Sequence, residues 1–144
     1  MELKKVAVNL VPVLDDILPR ASTYRRNVAV IARILRWSKL RKYWDSPCSL
    51  EELRDAENVL LKHLQQVCFP DVTCQFGNMQ TCKDENGLLW IRTKLLLRND
   101  QHAFILPILL PKVHTVVEYL IVDYHKFYGH GGITFIREKL REKY

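Results

Sequence analysis

The stretch Asp123–Tyr144, DYHKFYGHGGITFIREKLREKY, contains the end of one amphipathic helix, a glycine turn and a second helix. Three glycines surround His130, and glycine readily ends a helix and turns the chain. Upstream, the apolar spacing predicts a helix over residues 112–128, with these residues on its inner face: Val113, Val116, Val117, Leu120, Ile121 and Tyr124. The last helix, from about Ile133, is expected to bury Ile133, Ile136 and Leu140. Two helices joined by a tight turn form a helix-turn-helix-like unit.

His125 and His130 are the metal-ligand candidates of this stretch. Four residues separate them, a spacing that can place both imidazoles on one zinc ion, which takes four tetrahedral ligands. No Cys or His follows His130, so the sequence predicts an incomplete zinc site. The alternative is a histidine that interacts with the helix dipole and a loop histidine that packs on aromatic neighbours.

The other histidines are expected to be ordinary surface or core residues. His114 cannot share an ion with His125, because eleven helical residues separate them by about 16 Å. His63 and His102 have no partner at a metal-ligand spacing.

Two further helices are predicted upstream. Ser22 can cap a basic helix running to about Tyr43, with Val28, Ile31, Ala32 and Leu35 at helical spacing. Ser49 and Glu52 predict a capping box for the next helix, which should end at Phe69-Pro70-Asp71. The apolar stripe of that helix is Leu53, Ala56, Leu60, Leu64 and Val67.

The segment between these helices and the last two favours strands. Residues 71–86 are predicted to be mostly loop with one short extended piece, and Asp84–Gly87 is a turn signal. The apolar runs Leu88–Leu95 and Ala103–Leu110 predict two antiparallel strands, and Pro107 places the second at an edge or a bulge. The predicted fold class is α+β, mainly α.

Positive charge is concentrated in one segment. The net charge is +6, whereas residues 17–44 carry eight basic and no acidic side chains, so the rest of the chain sums to −2. The positive electrostatic potential of this segment is suited to binding a polyanion such as nucleic acid. The candidate phosphate contacts, chosen by charge, are Arg33, Arg36, Lys39, Arg41 and Lys42. The alternatives for this basic helix are a solvent-exposed face, a linker helix held by tertiary contacts, or a helix that binds a membrane surface or a partner such as calmodulin.

Composition narrows the class of protein. With 144 residues and 48% hydrophobic content, the chain suits one small domain or two subdomains. No apolar run approaches the roughly 20 residues of a membrane span, and no signal peptide is visible, so an intracellular protein of the nucleus or cytoplasm is expected. The four cysteines, with no Cys-x-x-Cys, are expected to be free thiols rather than metal ligands or disulfides.

The last third of the chain resembles the start of a retroelement integrase. The resemblance is carried by Pro107–Lys112 (PILLPK), His114, His125, Gly129–Thr134 (GHGGIT) and Arg137–Tyr144 (REKLREKY). The closer resemblance is to BEL/Pao-type Pol polyproteins. Upstream segments are similar to that family in the same order: Ser22–Tyr24, Val28–Trp37, Ser49–Glu57 and Gly87–Leu89.

The resemblance implies a truncated piece of such a polyprotein. Residues 1–86 would be a helical connector, and residues 87–144 the first part of an integrase zinc-binding domain of the His-His-Cys-Cys type. His125 and His130 would be its zinc ligands, with zinc weak or absent here because the Cys pair would follow later. The full domain supports integrase multimerisation and engagement of element DNA. DNA and self-association are therefore the implied partners, with no membrane and no small-molecule substrate.

Catalysis is not expected of this chain. Aspartic protease, polymerase and nucleophile motifs are absent from the sequence, and the resemblance implies that the integrase carboxylates lie beyond residue 144. The rivals are a co-opted, metal-free nucleic-acid-binding module, sensitive to Arg33→Glu with Arg36→Glu, and a protein-interaction scaffold that self-associates through apolar helix faces.

Overall fold

The fold is described from a computed structural model, which covers residues 14–15, 17–18, 22–40, 46–70, 80–92 and 107–144, with only the backbone at 39 and 40. These residues form four helices and one two-stranded antiparallel hairpin, which confirms the prediction of a mainly α, α+β chain. The elements are α1 (Tyr24–Leu40), α2 (Leu50–Cys68), β1 (Gln80–Lys83), β2 (Leu89–Arg92), α3 (Thr115–Phe127) and α4 (Ile133–Arg141).

Thr23, and not Ser22 as predicted, caps α1. The Arg26 N–H donates to Thr23 Oγ1 at 3.3 Å, and the Asn27 N–H donates to the Thr23 carbonyl at 3.1 Å. Both hydroxyl residues are good caps, so local sequence does not separate them. The four predicted inner residues of α1 are all buried, while the predicted end near Tyr43 lies outside the described residues.

The capping box of α2 is confirmed. The Glu52 N–H donates to Ser49 Oγ at 3.2 Å, and the Ser49 N–H donates to the Glu52 carboxylate at 2.7 Å. The helix ends at Cys68, as the Phe69-Pro70 signal predicts. The prediction that Val67 is buried is wrong, since it is 51% exposed. The covered face of this half of α2 turns toward Leu61 and Gln65 instead.

The structure adds a strand pairing that the sequence did not predict. β1 pairs with β2, from Gln80 opposite Arg92 to Lys83 opposite Leu89, so the Asp84–Gly87 signal connects the two strands. Gly87 has a φ of +80°, a conformation that glycine adopts without steric cost. The predicted antiparallel pairing of the two apolar runs is present where both are described: Trp90 and Ile108 form a bridge, the Ile91 N–H donates to the Pro107 carbonyl at 2.9 Å, and the Leu109 N–H donates to the Leu89 carbonyl at 3.0 Å. Residues 93–106 lie outside the described chain.

A buried glutamine joins α2 to this small sheet. Gln65 Nε2 donates to the carbonyls of Leu89 and Leu109, each at 2.8 Å, and Gln65 Oε1 accepts from the Leu89 N–H at 2.7 Å. The Leu109 N–H also donates to the Leu89 carbonyl at 3.0 Å. The amide of Gln65 therefore supplies the donor and acceptor that a neighbouring strand would otherwise provide.

One hydrophobic core draws on residues from Leu14 to Tyr144 and includes parts of α1, α2 and α3. It contains residues from both predicted ranges, 1–86 and 87–144, and the β1–β2 hairpin spans their boundary. The prediction that Val113, Ile121 and Ile133 are buried is wrong, since they are 79%, 45% and 90% exposed. Val113 precedes α3, and the other two lie on helix faces that no described element covers.

The described residues include three cysteines and no membrane-spanning helix. None of their helices is both long enough and apolar enough to cross a membrane. Cys48, Cys68 and Cys82 are free thiols, and burial raises the pKa of Cys68. Cys74 lies outside the described chain.

Candidate metal and nucleic-acid sites

The turn after α3 brings His125 and His130 together. Gly129, with φ +64°, ends the helix, and its N–H donates to the Lys126 carbonyl at 3.3 Å. The His130 N–H donates to the His125 carbonyl at 2.8 Å. These two bonds are those of a Schellman motif, which satisfies the last carbonyls of a helix. A backbone bond therefore joins the two histidines directly.

The two imidazoles are in contact. Their ring centroids are 4.7 Å apart and their planes are inclined at 76°. His125 is partly buried and His130 is exposed. With Zn–N distances of about 2.0–2.1 Å and tetrahedral angles, two imidazoles on one zinc ion would have centroids about 5 Å apart. The centroid separation of the pair is therefore close to that of two imidazoles on one zinc ion.

No third ligand joins this pair within the residues that the structure describes. Those residues hold no cluster of three or more His, Cys, Asp or Glu side chains that could bind a metal ion. A four-ligand zinc centre would need two groups from elsewhere.

His114 and His63 have structural roles away from the pair. His114 is the N-cap of α3, at the opposite end from His125, and its Nδ1 accepts from the Val116 N–H at 3.2 Å. Burial, and secondarily the nearby His63, lowers the pKa of His114 and so favours this neutral, accepting form. His63 is buried with Nε2 2.9 Å from Asp15 Oδ1. His102 lies outside the described residues.

Arg36, one of the predicted phosphate contacts, points into the fold and bonds to other parts of this chain. Its Nε donates to Glu52 Oε1 at 2.8 Å, and its terminal nitrogens donate to the carbonyls of Ser46 and Pro47 at 2.6 and 2.9 Å. Only 9% of its side chain is exposed. These bonds fix the connection between α1 and α2. The hydrogen bond from Arg36 to Glu52 is the largest cause that lowers the pKa of Glu52 to about 2.

An exposed basic and aromatic face of α1 was only partly predicted. Arg26, Arg33 and Trp37 are all exposed, with Trp37 at 60%, and their spacings of seven and four residues place them on one helix face. We call these three residues the α1 stripe. It is about 16 Å long at 1.5 Å per residue. Lys39 has no described side chain, and Arg41 and Lys42 lie outside the described residues.

A cleft of about 730 Å³ lies beside the stripe's helix, lined by residues of α1, α2 and α3 and by the end of the chain. At one wall, the Tyr24 hydroxyl donates to Glu57 Oε1 at 3.0 Å, Lys143 Nζ donates to the same oxygen at 2.8 Å, and the Tyr144 hydroxyl also donates to it. Burial, followed by neighbouring negative charge or phenol, raises the pKa of both tyrosines. The hydroxyls therefore stay protonated and tie residues 143–144 to α1 and α2.

No family model, no curated protein and no solved structure matches this chain. The resemblance to BEL/Pao-type integrases stays a prediction.

Proposed function

We propose that this chain belongs to the zinc-binding region of a BEL/Pao-like retroelement integrase, acting inside the cell in the nucleus or cytoplasm. In this role it supports DNA integration by engaging nucleic acid and assembling integrase, and it catalyses no step itself. His125 and His130 supply two zinc ligands, and zinc would order the turn between α3 and α4.

The contact between the two imidazoles carries this proposal. A Schellman motif needs a left-handed residue at Gly129, but it does not need a histidine on either side. Here the residues joined by the hydrogen bond from the His130 N–H to the His125 carbonyl are both histidine, and their ring centroids lie 4.7 Å apart, close to the separation on a shared ion. His130 also adopts a φ of +61°, which is unfavourable for a residue with a Cβ. A ligand that held both imidazoles would offset this backbone cost, which the exposed side chain does not recover through burial.

Zinc binding is the first test. The purified chain should compete with a chromogenic chelator for zinc, and His125→Gln or His130→Asn should lose most of that affinity. Glutamine suits the last turn of a helix, and asparagine tolerates a positive φ, so both variants should fold. The matched control is His114→Asn, which removes another imidazole of the same segment but keeps an N-cap acceptor. Equal affinity in all four proteins would refute the metal role of the pair.

A metal-free nucleic-acid-binding module is the second candidate, and the α1 stripe favours it. Two exposed guanidinium groups can contact phosphates, and an exposed indole on the same face can stack on a base. In this reading DNA binding depends on the stripe and is indifferent to zinc.

Fluorescence anisotropy with a labelled DNA duplex separates the two candidates. Arg26→Glu with Arg33→Glu should weaken binding and reduce the slope of log K against log salt concentration by about 2, since each lost phosphate contact removes about 0.9. Arg137→Glu with Arg141→Glu, an equal charge change on exposed positions of α4, is the control. Wild-type affinity that rises with zinc, and fails to rise in His125→Gln, supports the integrase-like role. Zinc-independent binding supports the metal-free module, and no binding to DNA refutes both.

A further inference from the structure

We propose that the cleft between α1, α2 and α3 binds a nucleotide, with the base against its aromatic side chains and the phosphate on its exposed arginines. The cleft has a volume of about 730 Å³. This value lies within the range of roughly 300–1,000 Å³ that is typical of small-molecule sites. The described residues that line it are distinct from the histidine pair and from the α1 stripe. The inference therefore goes beyond the proposed function and can fail separately from it.

Aromatic side chains line much of the cleft. They are Tyr24, Tyr124, Phe127, Tyr128 and Tyr144. Phe127 is 64% exposed, and its ring is nearly perpendicular to that of Tyr128, with centroids 5.0 Å apart and planes inclined at 89°. A planar base stacked on one of these rings would lie nearly perpendicular to the other, and aromatic groups favour both arrangements. Stacking on aromatic side chains is a main source of affinity for unpaired nucleotides, because every base has a π face.

The charges of the cleft suit an anion. Three cations, Arg25, Arg54 and Lys143, line it together with two carboxylates, Glu57 and Asp123, which leaves a net charge of +1. Lys143 Nζ donates to both oxygens of Glu57 at 2.8 and 2.9 Å, and the Arg25 N–H donates to Asp123 Oδ2 at 3.1 Å. Both carboxylates are therefore bonded within the chain, while Arg25 and Arg54 are exposed to a ligand. Charge complementarity favours a ligand with an anionic group.

Arg25 brings the aromatic and the cationic parts of the cleft together. Its guanidinium lies over the Phe127 ring, with Cζ 5.1 Å from the ring centroid. A guanidinium over a ring is held by its π face and keeps its in-plane N–H groups for a phosphate. A phosphate bonded to Arg25 would therefore lie close to rings on which a base can stack, which is the combination found in sites for single-stranded nucleic acid. An aliphatic acid would use the cations but would gain nothing from the rings by stacking.

Calorimetric titration of the full chain with adenosine monophosphate tests the proposal. Adenosine lacks the phosphate and ribose 5-phosphate lacks the base, so each should bind more weakly by about fivefold or more. Decanoate, an aliphatic acid, should also bind more weakly than the nucleotide. Equal affinity for decanoate and adenosine monophosphate would overturn the argument from base stacking.

Two pairs of variants locate the site. Phe127→Leu keeps an apolar side chain but removes the ring, and should lower the affinity about 5- to 150-fold. Its control is Trp37→Leu, which removes an exposed aromatic ring of the α1 stripe. Arg25→Gln keeps the backbone bond to Asp123 but removes a charged phosphate contact, and should lower the affinity about tenfold. Its control is Arg26→Gln, because the adjacent arginine is equally exposed and belongs to the stripe.

The outcomes separate the cleft from the other candidate sites. A loss of affinity that is equal in the cleft variants and their controls, or that occurs only in the controls, would overturn the assignment to the cleft. The absence of binding by both adenosine monophosphate and a single-stranded tetranucleotide would overturn it as well. A tetranucleotide that binds more tightly than the mononucleotide identifies a strand as the source of the ligand, and the reverse order identifies a free nucleotide; either result supports the site. All titrations are made with a chelator present, so the metal role of the histidine pair is tested independently.

Discussion

Replacing Gln65 with leucine should destabilise the fold strongly, although leucine favours a helix as well as glutamine does. Gln65 is 2% exposed and makes three hydrogen bonds through its amide, two to the backbone of Leu89 and one to that of Leu109. Leucine fills much of the same space but has no donor or acceptor.

The size of the effect follows from the partners that are left behind. In Gln65→Leu the Leu89 N–H and the Leu109 carbonyl lose the amide, whereas the Leu89 carbonyl still accepts from the Leu109 N–H at 3.0 Å. A buried polar group without a partner costs about 1–3 kcal/mol, so two such groups cost about 2–6 kcal/mol. New apolar contacts of leucine offset part of this cost. We expect the free energy of unfolding to fall by about 3 kcal/mol, a large share of the roughly 5–15 kcal/mol typical of a domain.

Urea unfolding followed by circular dichroism measures this change. With a slope of about 2 kcal/mol per M, the midpoint should fall by roughly 1.5 M. Gln66→Leu is the matched control, because the adjacent residue is exposed and undergoes the same chemical change, so its effect should stay within about 0.5 kcal/mol. Similar midpoints for the two variants would refute the argument that the Gln65 amide completes the small sheet.

Three further predictions concern the helix ends. Ser49→Ala removes the acceptor of the Glu52 N–H and should lower the free energy of unfolding by about 1 kcal/mol in urea titrations; no loss would contradict the capping box. The pKa of Glu52 is lowered from 4.5 to about 2, first by the Arg36 hydrogen bond and then by the Ser49 N–H, so the ionised carboxylate stabilises the fold above pH 4.5. That stabilisation is lost as pH falls through about 2, and Glu52→Gln should flatten this part of an acid titration followed by circular dichroism, whereas an unchanged titration would exclude Glu52 as its cause. Gly129→Ala should cost about 1 kcal/mol because its φ is positive and a Cβ there meets nothing within 4 Å; an unchanged urea midpoint would contradict this conformational cost.

The helices could be predicted from sequence because their signals are local. The capping box of Ser49 and Glu52, the Phe69-Pro70 stop and the glycine at 129 act over a few residues, and the structure contains each feature. Errors arose where two local signals were equivalent, as for Ser22 and Thr23, or where burial depended on a distant neighbour, as for Ile121 and Ile133.

The candidate sites show the same division. The spacing of His125 and His130 predicted that they could meet, and the rings are in contact. Charge alone could not distinguish an exposed cation from an internal one, because Arg33 and Arg36 lie three residues apart on the same basic helix. Glu52, sixteen residues further along the chain, is what makes Arg36 internal.

The sequence by itself determined the mainly α class, both ends of α2 and the nearness of the two histidines, because each depends on periodicity, capping or spacing within about one helical turn. Only the tertiary structure decided that β1 pairs with β2, that Gln65 joins α2 to the sheet, and that Glu57 collects Tyr24, Lys143 and Tyr144. The partners of Gln65 and Glu57 lie between 24 and 87 positions away in the sequence. Which residues become partners depends on which surfaces of the helices and strands pack together. A local pattern holds no information on that choice, since many polar residues could satisfy the same backbone groups.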